Sequence, residues 1–386
     1  MKRYYTGIDI GTYHVKVVIA EAAQGGGLRI AGSGSAVSKG MRHGYIINTK
    51  DATRSIAEAV RTAEQAAGTK VKSAAIAIGG VGLDELRSTG EVSLTTSGGV
   101  VTPRDLERVV EDSEKRISAQ LTNRRVIHAL PTSYQLDGTK VPGRPVGMRG
   151  SKLTVDTLLV TTLEQHYNDL IEAVEGAGIE VEGEMASPLA ASLVSLTKEQ
   201  KMKGVVLANI GAETVSIAVF EDDLPISVKV FPTGSSDITN DLALSLQLPL
   251  SEAEQVKRGA VMQSDVPRKK IDDIVGSRLK DIFSIIDAHL KAISRHRILP
   301  GGIVITGGGS SIVGAKDIAK ATLKLPSQLG SAAAARAISA DATWAVAYGL
   351  TRWGYSTDAH YTQAGWSDGA KDIMQGVLRG LRSLLP

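Results

Sequence analysis

The chain has 386 residues, 42% of them hydrophobic, with a net charge of +3 and no cysteine. That length allows two or three domains, or one large two-lobed one. The charge is too small to imply a nucleic-acid partner, and the missing cysteines exclude disulfides and thiolate metal sites.

At the start, Met1-Lys2-Arg3-Tyr4-Tyr5 leads into no apolar stretch of the kind a secretory leader needs. No run of about 18 apolar residues follows, so any contact with a membrane is expected from its surface. Tyr5 to Ala20 reads YTGIDIGTYHVKVVIA. A β-run, a tight Ile-Gly turn and a second β-branched run predict a hairpin. A strand over Leu28 to Ser38 follows, then a helix from Asp51 to Gly68 with Ile56, Ala59, Val60, Ala63 and Ala67 on one face. Val71 to Ile78 reads as a strand.

Between Val81 and Thr161 the pattern changes. Glu91 to Leu94, Arg125 to Pro131, Ser133 to Leu136 and Thr154 to Thr161 read as strands. Thr102 to Gln120 reads as a helix, with Thr102 as its cap and Pro103 at its first position. This predicts a small α+β insert of about 80 residues in the first lobe.

Val205 to Phe220, VVLANIGAETVSIAVF, repeats the opening hairpin and suggests a second, similar lobe. A strand over Ile226 to Pro232 and a turn at Gly234-Ser235-Ser236 come next. Helices follow over Asp237 to Leu246, Ser251 to Gly259 and Arg268 to His296. Gly302 to Thr306 is a buried strand entering Gly307-Gly308-Gly309. Alternating strands and helices indicate an α/β architecture. Gly354 to Gly369 is rich in Gly, Ser, Thr, Asp and Gln and reads as a flexible tether. Beyond it, Ile373, Met374, Val377, Leu378, Leu381, Leu384 and Leu385 form an apolar stripe at helical spacing, with Lys371, Arg379 and Arg382 beside it. A cationic amphipathic helix of this kind lies in a membrane interface, apolar face down.

Three turns could hold a nucleotide. Asp9-Ile10-Gly11-Thr12, with His14 and Lys16 following, offers backbone N–H groups and a hydroxyl to phosphate oxygens. Asp9 at a strand end can hold Mg²⁺ through its waters. Asn209-Ile210-Gly211-Ala212-Glu213-Thr214 is the second turn, and Gly307-Gly308-Gly309-Ser310 the third, where glycines let backbone approach a flat ligand.

The order of these turns resembles the actin, Hsp70 and sugar-kinase ATPase fold. Within it the chain is most similar to the FtsA family of bacterial cell-division proteins. The resemblance rests on GIDIGTYHVKVVIAE (Gly7 to Glu21), on HALPTSY (His128 to Tyr134) with PVGM (Pro145 to Met148) in the insert, and on IVITGGGSSIVGAKDIA (Ile303 to Ala319). It covers residues 1 to about 353, and the terminal helix is similar to that family's membrane-targeting helix.

The resemblance implies an actin-like two-lobed α/β fold of duplicated RNase H-like domains, with ATP and Mg²⁺ in the cleft. The first lobe would span 1–203, with the insert at 81–161. The second would span 204–353, with a helical subdomain at 237–300, followed by a linker at 354–369 and the amphipathic helix at 370–386. Asp9, Gly11, Thr12, His14 and Lys16 would meet the phosphates. Gly211, Ala212, Glu213, Thr214 and Gly234 would close from the other lobe, and Asp9 and Asn209 would face the metal through water. Glu254 and Lys257 would touch ribose and base, unless they form only an i, i+3 ion pair. Gly307, Gly308, Gly309 and Ser310 would flank adenine.

The function so implied is a scaffold that polymerises on the inner membrane face at the division site. Its partners would be an FtsZ-like tubulin homologue, other division proteins and further copies of itself. A PilM-like platform protein of a type IV pilus or secretion system, binding a cytoplasmic peptide, is the alternative. A sugar or acetate kinase is the third reading, with only His14 and His128 as default bases, and no catalytic residue is assigned.

Two departures matter. The family pattern at the second turn is Asp-x-Gly-Gly-Gly-Thr, whereas this chain has Asn209, Ala212 and Glu213, which points to weak or absent ATPase activity. Leu329 to Ser339 is Ala-rich where the family has a basic strand, which leaves the last strand of the second lobe open.

Overall fold

The computed structural model describes residues 3–23, 26–94, 99–259, 267–330 and 341–364. The expected membrane helix at 370–386 lies outside them, as does most of the Ala-rich stretch.

Two five-stranded sheets share one topology. In the first, Leu28–Val37, His14–Ala22 and Tyr4–Ile10 run antiparallel, and Ser73–Ile78 and Glu180–Ala186 continue in parallel. In the second, the order is Leu224–Phe231, Val215–Glu221, Val205–Ile210, Ile303–Thr306 and Ser327–Leu329, with the same change from antiparallel to parallel. Both hairpins therefore place their first strand at the centre of a sheet. Central strands are covered on both faces, which is why they read as nearly continuous β-branched runs rather than alternating ones. Ser327–Leu329 supplies the last strand that the sequence left open.

The helix Thr49–Ala67 covers one face of the first sheet. Asn48 caps its start, and Gly68 ends it at a φ of 66°. Helix Ser187–Ser195 lies between the sheets and helix Ala345–Ala364 packs on it and on the first sheet, and their buried residues join one core with those of both lobes. Helix Arg268–Ala292 packs Ile282, Phe283 and Ile286 into a separate core on the outer face of the second sheet.

Two boundaries need correction. The second lobe does not run to 353, because Ala347 and Leu350 lie against Gly7 and Trp353 against Gly183, both on the first sheet. The linker does not begin at Gly354, because the helix continues to Ala364. Tyr355 stacks edge-on against Tyr5 at 5.6 Å, so this part of the helix is anchored on the first sheet.

The insert is a four-stranded antiparallel sheet of Asp84–Ser93, Lys152–Leu163, Arg124–Leu136 and Thr139–Val141, covered by helix Pro103–Arg116. Thr102 and Asp105 form the helix's capping box. The two short strands expected at 125–131 and 133–136 are one strand with a bulge. Pro131, lacking an N–H, pairs with Thr157, Ser133 pairs with Asp156, and Thr132 is left over. Among the described residues, no helix is long and apolar enough to cross a membrane.

Candidate functional site

The two hairpin turns face each other across a cleft of about 860 Å³. In the first, Asp9 pairs with Lys16 and Ile10 with Val15, and Gly11 N donates to His14 O at 3.2 Å. In the second, Asn209 pairs with Ser216 and Ile210 with Val215, and Gly211 N donates to Thr214 O at 2.8 Å. The turns are thus the same structure built from different side chains.

Asp9, Gly11, Thr12, His14 and Lys16 all line the cleft. Burial pushes the Asp9 carboxyl up to about 6, with the Lys16 charge partly offsetting it. Burial also lowers Lys16, whose ammonium donates to Thr343 O at 2.6 Å. His14 is lowered by burial and by the charges of Lys16 and Arg258. His128, the other default base, is a structural residue: its Nε2 accepts from Ala186 N at 3.0 Å, and burial lowers it to about 4.

From the second lobe, Asn209, Gly211, Ala212 and Thr214 reach the cleft. Glu213 does not line it. Its carboxylate turns to the first lobe and accepts the His43 N–H at 2.5 Å. Gly234 is also absent from the lining. It begins helix Ser235–Leu246, and a Cβ there would sit 2.3 Å from Ala212 O. The first N–H groups of that helix are already used: Ser235 N donates to Gly211 O at 2.9 Å and Ser236 N to Ala212 O at 2.8 Å. This helix start therefore braces the second turn instead of presenting free donors.

Gly307 and Gly308 line the cleft, but Gly309 and Ser310 do not. Gly307 has a φ of 81°, where a side chain would be strained, and a Cβ on it would lie 2.4 Å from Asn209 Oδ1. Gly309 packs on Ile210 instead, and Ser310 is buried with its hydroxyl on Gly307 O.

Glu254 and Lys257 line the cleft and form the anticipated ion pair at 2.6 Å, but not on the surface, since the Lys257 side chain is only 7% exposed. Lys257 also donates to Thr239 Oγ1 at 2.9 Å and Ser235 O at 3.1 Å, and Thr239 donates to Glu254 at 2.6 Å. Burial would raise Glu254, but hydrogen bonds from Lys257, Thr239 and Arg258 more than offset it and hold the carboxyl below its usual range.

Sequence reading missed Tyr13, Arg258, His43, Thr343 and Trp344. Tyr13 and Arg258 meet across the cleft, with Arg258 Nη2 donating to the Tyr13 hydroxyl at 3.1 Å. An exposed aromatic at the tip of a Gly turn was the available signal for Tyr13. Nothing local marks His43, whose partner lies 170 positions away in the chain.

A half-buried carboxylate that Lys16 only partly balances suits a cation nearby. No group of three His, Cys, Asp or Glu side chains that could cage an ion is found among the described residues. What the residues fit is a hydrated cation held through its own waters, not one held by direct protein ligands.

The family model for "Cell division protein FtsA" matches residues 206–349, and that for "SHS2 domain inserted in FTSA" matches residues 81–161. Cell division protein FtsA of Pseudomonas aeruginosa is 30% identical over 345 residues, covering 84% of this chain and 82% of its own. The Bacillus subtilis protein of the same name is 27% identical, covering 83% and 77% respectively. Among solved structures, a PilM–PilN type IV pilus biogenesis complex matches with a TM-score of 0.68 at 20% identity, covering 91% of this chain and 98% of the other. MreB5 of Spiroplasma citri bound to ADP matches with a TM-score of 0.54 at 11% identity, covering 93% and 98%. At such identities these structures speak for the fold alone, an actin-like architecture. Taken with the insert and the extent of the relatives matched, the chain belongs to the FtsA family and is an FtsA-like actin homologue of cell division.

Proposed function

We propose that this chain binds ATP with Mg²⁺ between its lobes and works as a filament-forming scaffold on the cytoplasmic face of the inner membrane at the division site. There it would tether an FtsZ-like tubulin homologue. The observation that carries the nucleotide reading is the pair of like hairpins facing one cleft, with Lys16 in its lining. Asp9, and Asn209 through its carboxamide, are the residues that would hold the metal's water shell. Bound there, the cation would screen phosphate charge. The solved relatives with ADP and AMPPNP support nucleotide as the ligand class. Asn209 brings no charge to the metal and Glu213 points elsewhere, so hydrolysis is slow or absent. Rapid phosphate release by the purified protein would sink that statement.

Membrane attachment rests on the apolar stripe and cations of 370–386. Gly376 and Gly380 lower the helix propensity of that stretch, so single copies would bind reversibly and a filament firmly through many. Vesicle flotation tests this: the full chain should float with anionic vesicles, and deletion of Asp368 to Pro386 should leave it in the pellet fraction. Electron microscopy on a lipid monolayer, with and without ATP, tests assembly. Isolated particles on a saturated monolayer would refute the filament.

A further inference from the structure

The third residue of each hairpin turn leaves its own lobe and lands on the other. From the first lobe, Tyr13 reaches Arg258, which donates to its hydroxyl at 3.1 Å and sets its guanidinium 5.5 Å from the ring centre. From the second lobe, Glu213 accepts the main-chain N–H of His43 at 2.5 Å, and its carbonyl oxygen lies 3.3 Å from His43 Nδ1. Because the strands share one register, Tyr13 and Glu213 are the same position of the repeat.

The landing point of Glu213 is firm. Next to His43, Gly44 N donates to Thr12 Oγ1 at 3.1 Å, and Val81 N donates to His43 O at 3.3 Å. The loop is thus fastened to the first turn and to the root of the insert. A carboxylate on a main-chain N–H is a charge-assisted hydrogen bond, stronger than an exposed ion pair.

The phosphate end shows what the second lobe does not supply. Its turn brings Asn209, Gly211, Ala212 and Thr214 to the cleft, all uncharged, and Ser216 stands where the first lobe has Lys16. Among the described residues, the cations that line the cleft from this lobe lie away from the turn, Lys257 and Arg258 sharing the Glu254 carboxylate and Arg268 pairing with Asp272. Among the described residues, the second turn itself therefore brings no positive side chain to a terminal phosphate, and the links across the cleft need no ligand.

We propose that Tyr13 and Glu213 are reciprocal struts that hold the lobes together in place of a terminal-phosphate contact, so that the cleft takes nucleoside diphosphates and triphosphates alike. This rests on the nucleotide reading above. Calorimetry of the full chain with Mg-ADP and Mg-ATP should give affinities within about threefold of each other. The double substitution Asn209→Asp with Glu213→Gly should raise the preference for ATP at least about tenfold. Tyr13→Phe keeps the ring and removes the hydroxyl link, so it should weaken both nucleotides equally.

Hydrogen exchange without nucleotide tests the strut itself. In Glu213→Ala, the His43 amide should exchange at least about tenfold faster while the central strands stay protected. A wild-type preference for ATP above about tenfold overturns the proposal, as does unchanged His43 exchange. Binding of neither nucleotide overturns the functional reading and the claim about phosphate number together. The exchange arm uses no nucleotide, so it separates that failure from failure of the strut.

Discussion

In the first hairpin the cross-strand pair beside the turn is Asp9 and Lys16, whereas in the second it is Asn209 and Ser216. Three positions after Asp9, Thr12 accepts from Gly44 N, while its counterpart Ala212 has no side-chain oxygen to offer. Two positions before Asp9, Gly7 lies under a helix, while its counterpart Leu207 is a fully buried core side chain. Backbone geometry in both is fixed by strand pairing and the turn glycine. The side chains were then free to diverge, leaving charge recognition to one turn and shape to the other.

The largest effect should come from the strand centres. A Cβ on Gly7 would sit 2.2 Å from Ala347 O, so Gly7→Leu should lower stability by about 3 kcal/mol in urea unfolding. Leu207→Ala should lose a similar amount by the opposite route, a cavity in place of a clash. Equal tolerance of both changes would break the claim that the hairpins pack differently.

Charge comes next. The folded Asp9 carboxyl sits at about 6 against an ordinary 3.8 because burial disfavours its ionised form. Between those values the folded chain keeps a proton that the unfolded chain has released. Asp9's contribution is therefore fully present below the ordinary value and lost as pH rises through about 6. Asp9→Asn should remove that loss and add about 2 kcal/mol at pH 7 in the nucleotide-free protein, a figure reduced for partial exposure. Asn209→Asp should install the same pH dependence in the second hairpin, and a flat profile there would show that the two sites differ in burial as well as in residue.

Lys16→Ala should weaken ATP binding at least tenfold, about 1.4 kcal/mol, whereas Ser216→Ala should change it less than about twofold. The smallest contrast is at the turns themselves. Thr12→Ala leaves Gly44 N without its partner and should destabilise by about 1 kcal/mol, while Ala212→Thr should stay within about 0.5 kcal/mol by thermal unfolding.

Much of the fold was legible because its signals are local. A glycine turn between β-branched runs announces a hairpin wherever it occurs, and Thr102-Pro103 announces a helix start. The return helix was not legible. Gly354, Ser356, Thr357 and Asp358 have the composition of a linker, but Ser356 and Thr357 both hydrogen-bond to Trp353 O, as hydroxyls do inside helices. Buried Trp353 and the Tyr5–Tyr355 contact then hold that segment in place. At the site, residue types near the turns could be read off, but directions could not. Whether Glu213 points at a phosphate or at His43 depends on a loop folded from the other end of the chain.

Helix Ala345–Ala364 has a consequence for synthesis. A ribosome releases the chain N-terminus first, yet the strand holding Gly7 meets Ala347 and Leu350 only after the whole second lobe has emerged. The lobe made first is the one finished last. A nascent or truncated chain ending before Ala345 would hold a contiguous second lobe beside a first lobe with an open apolar face, the kind of surface that chaperones recognise and that aggregates when crowded.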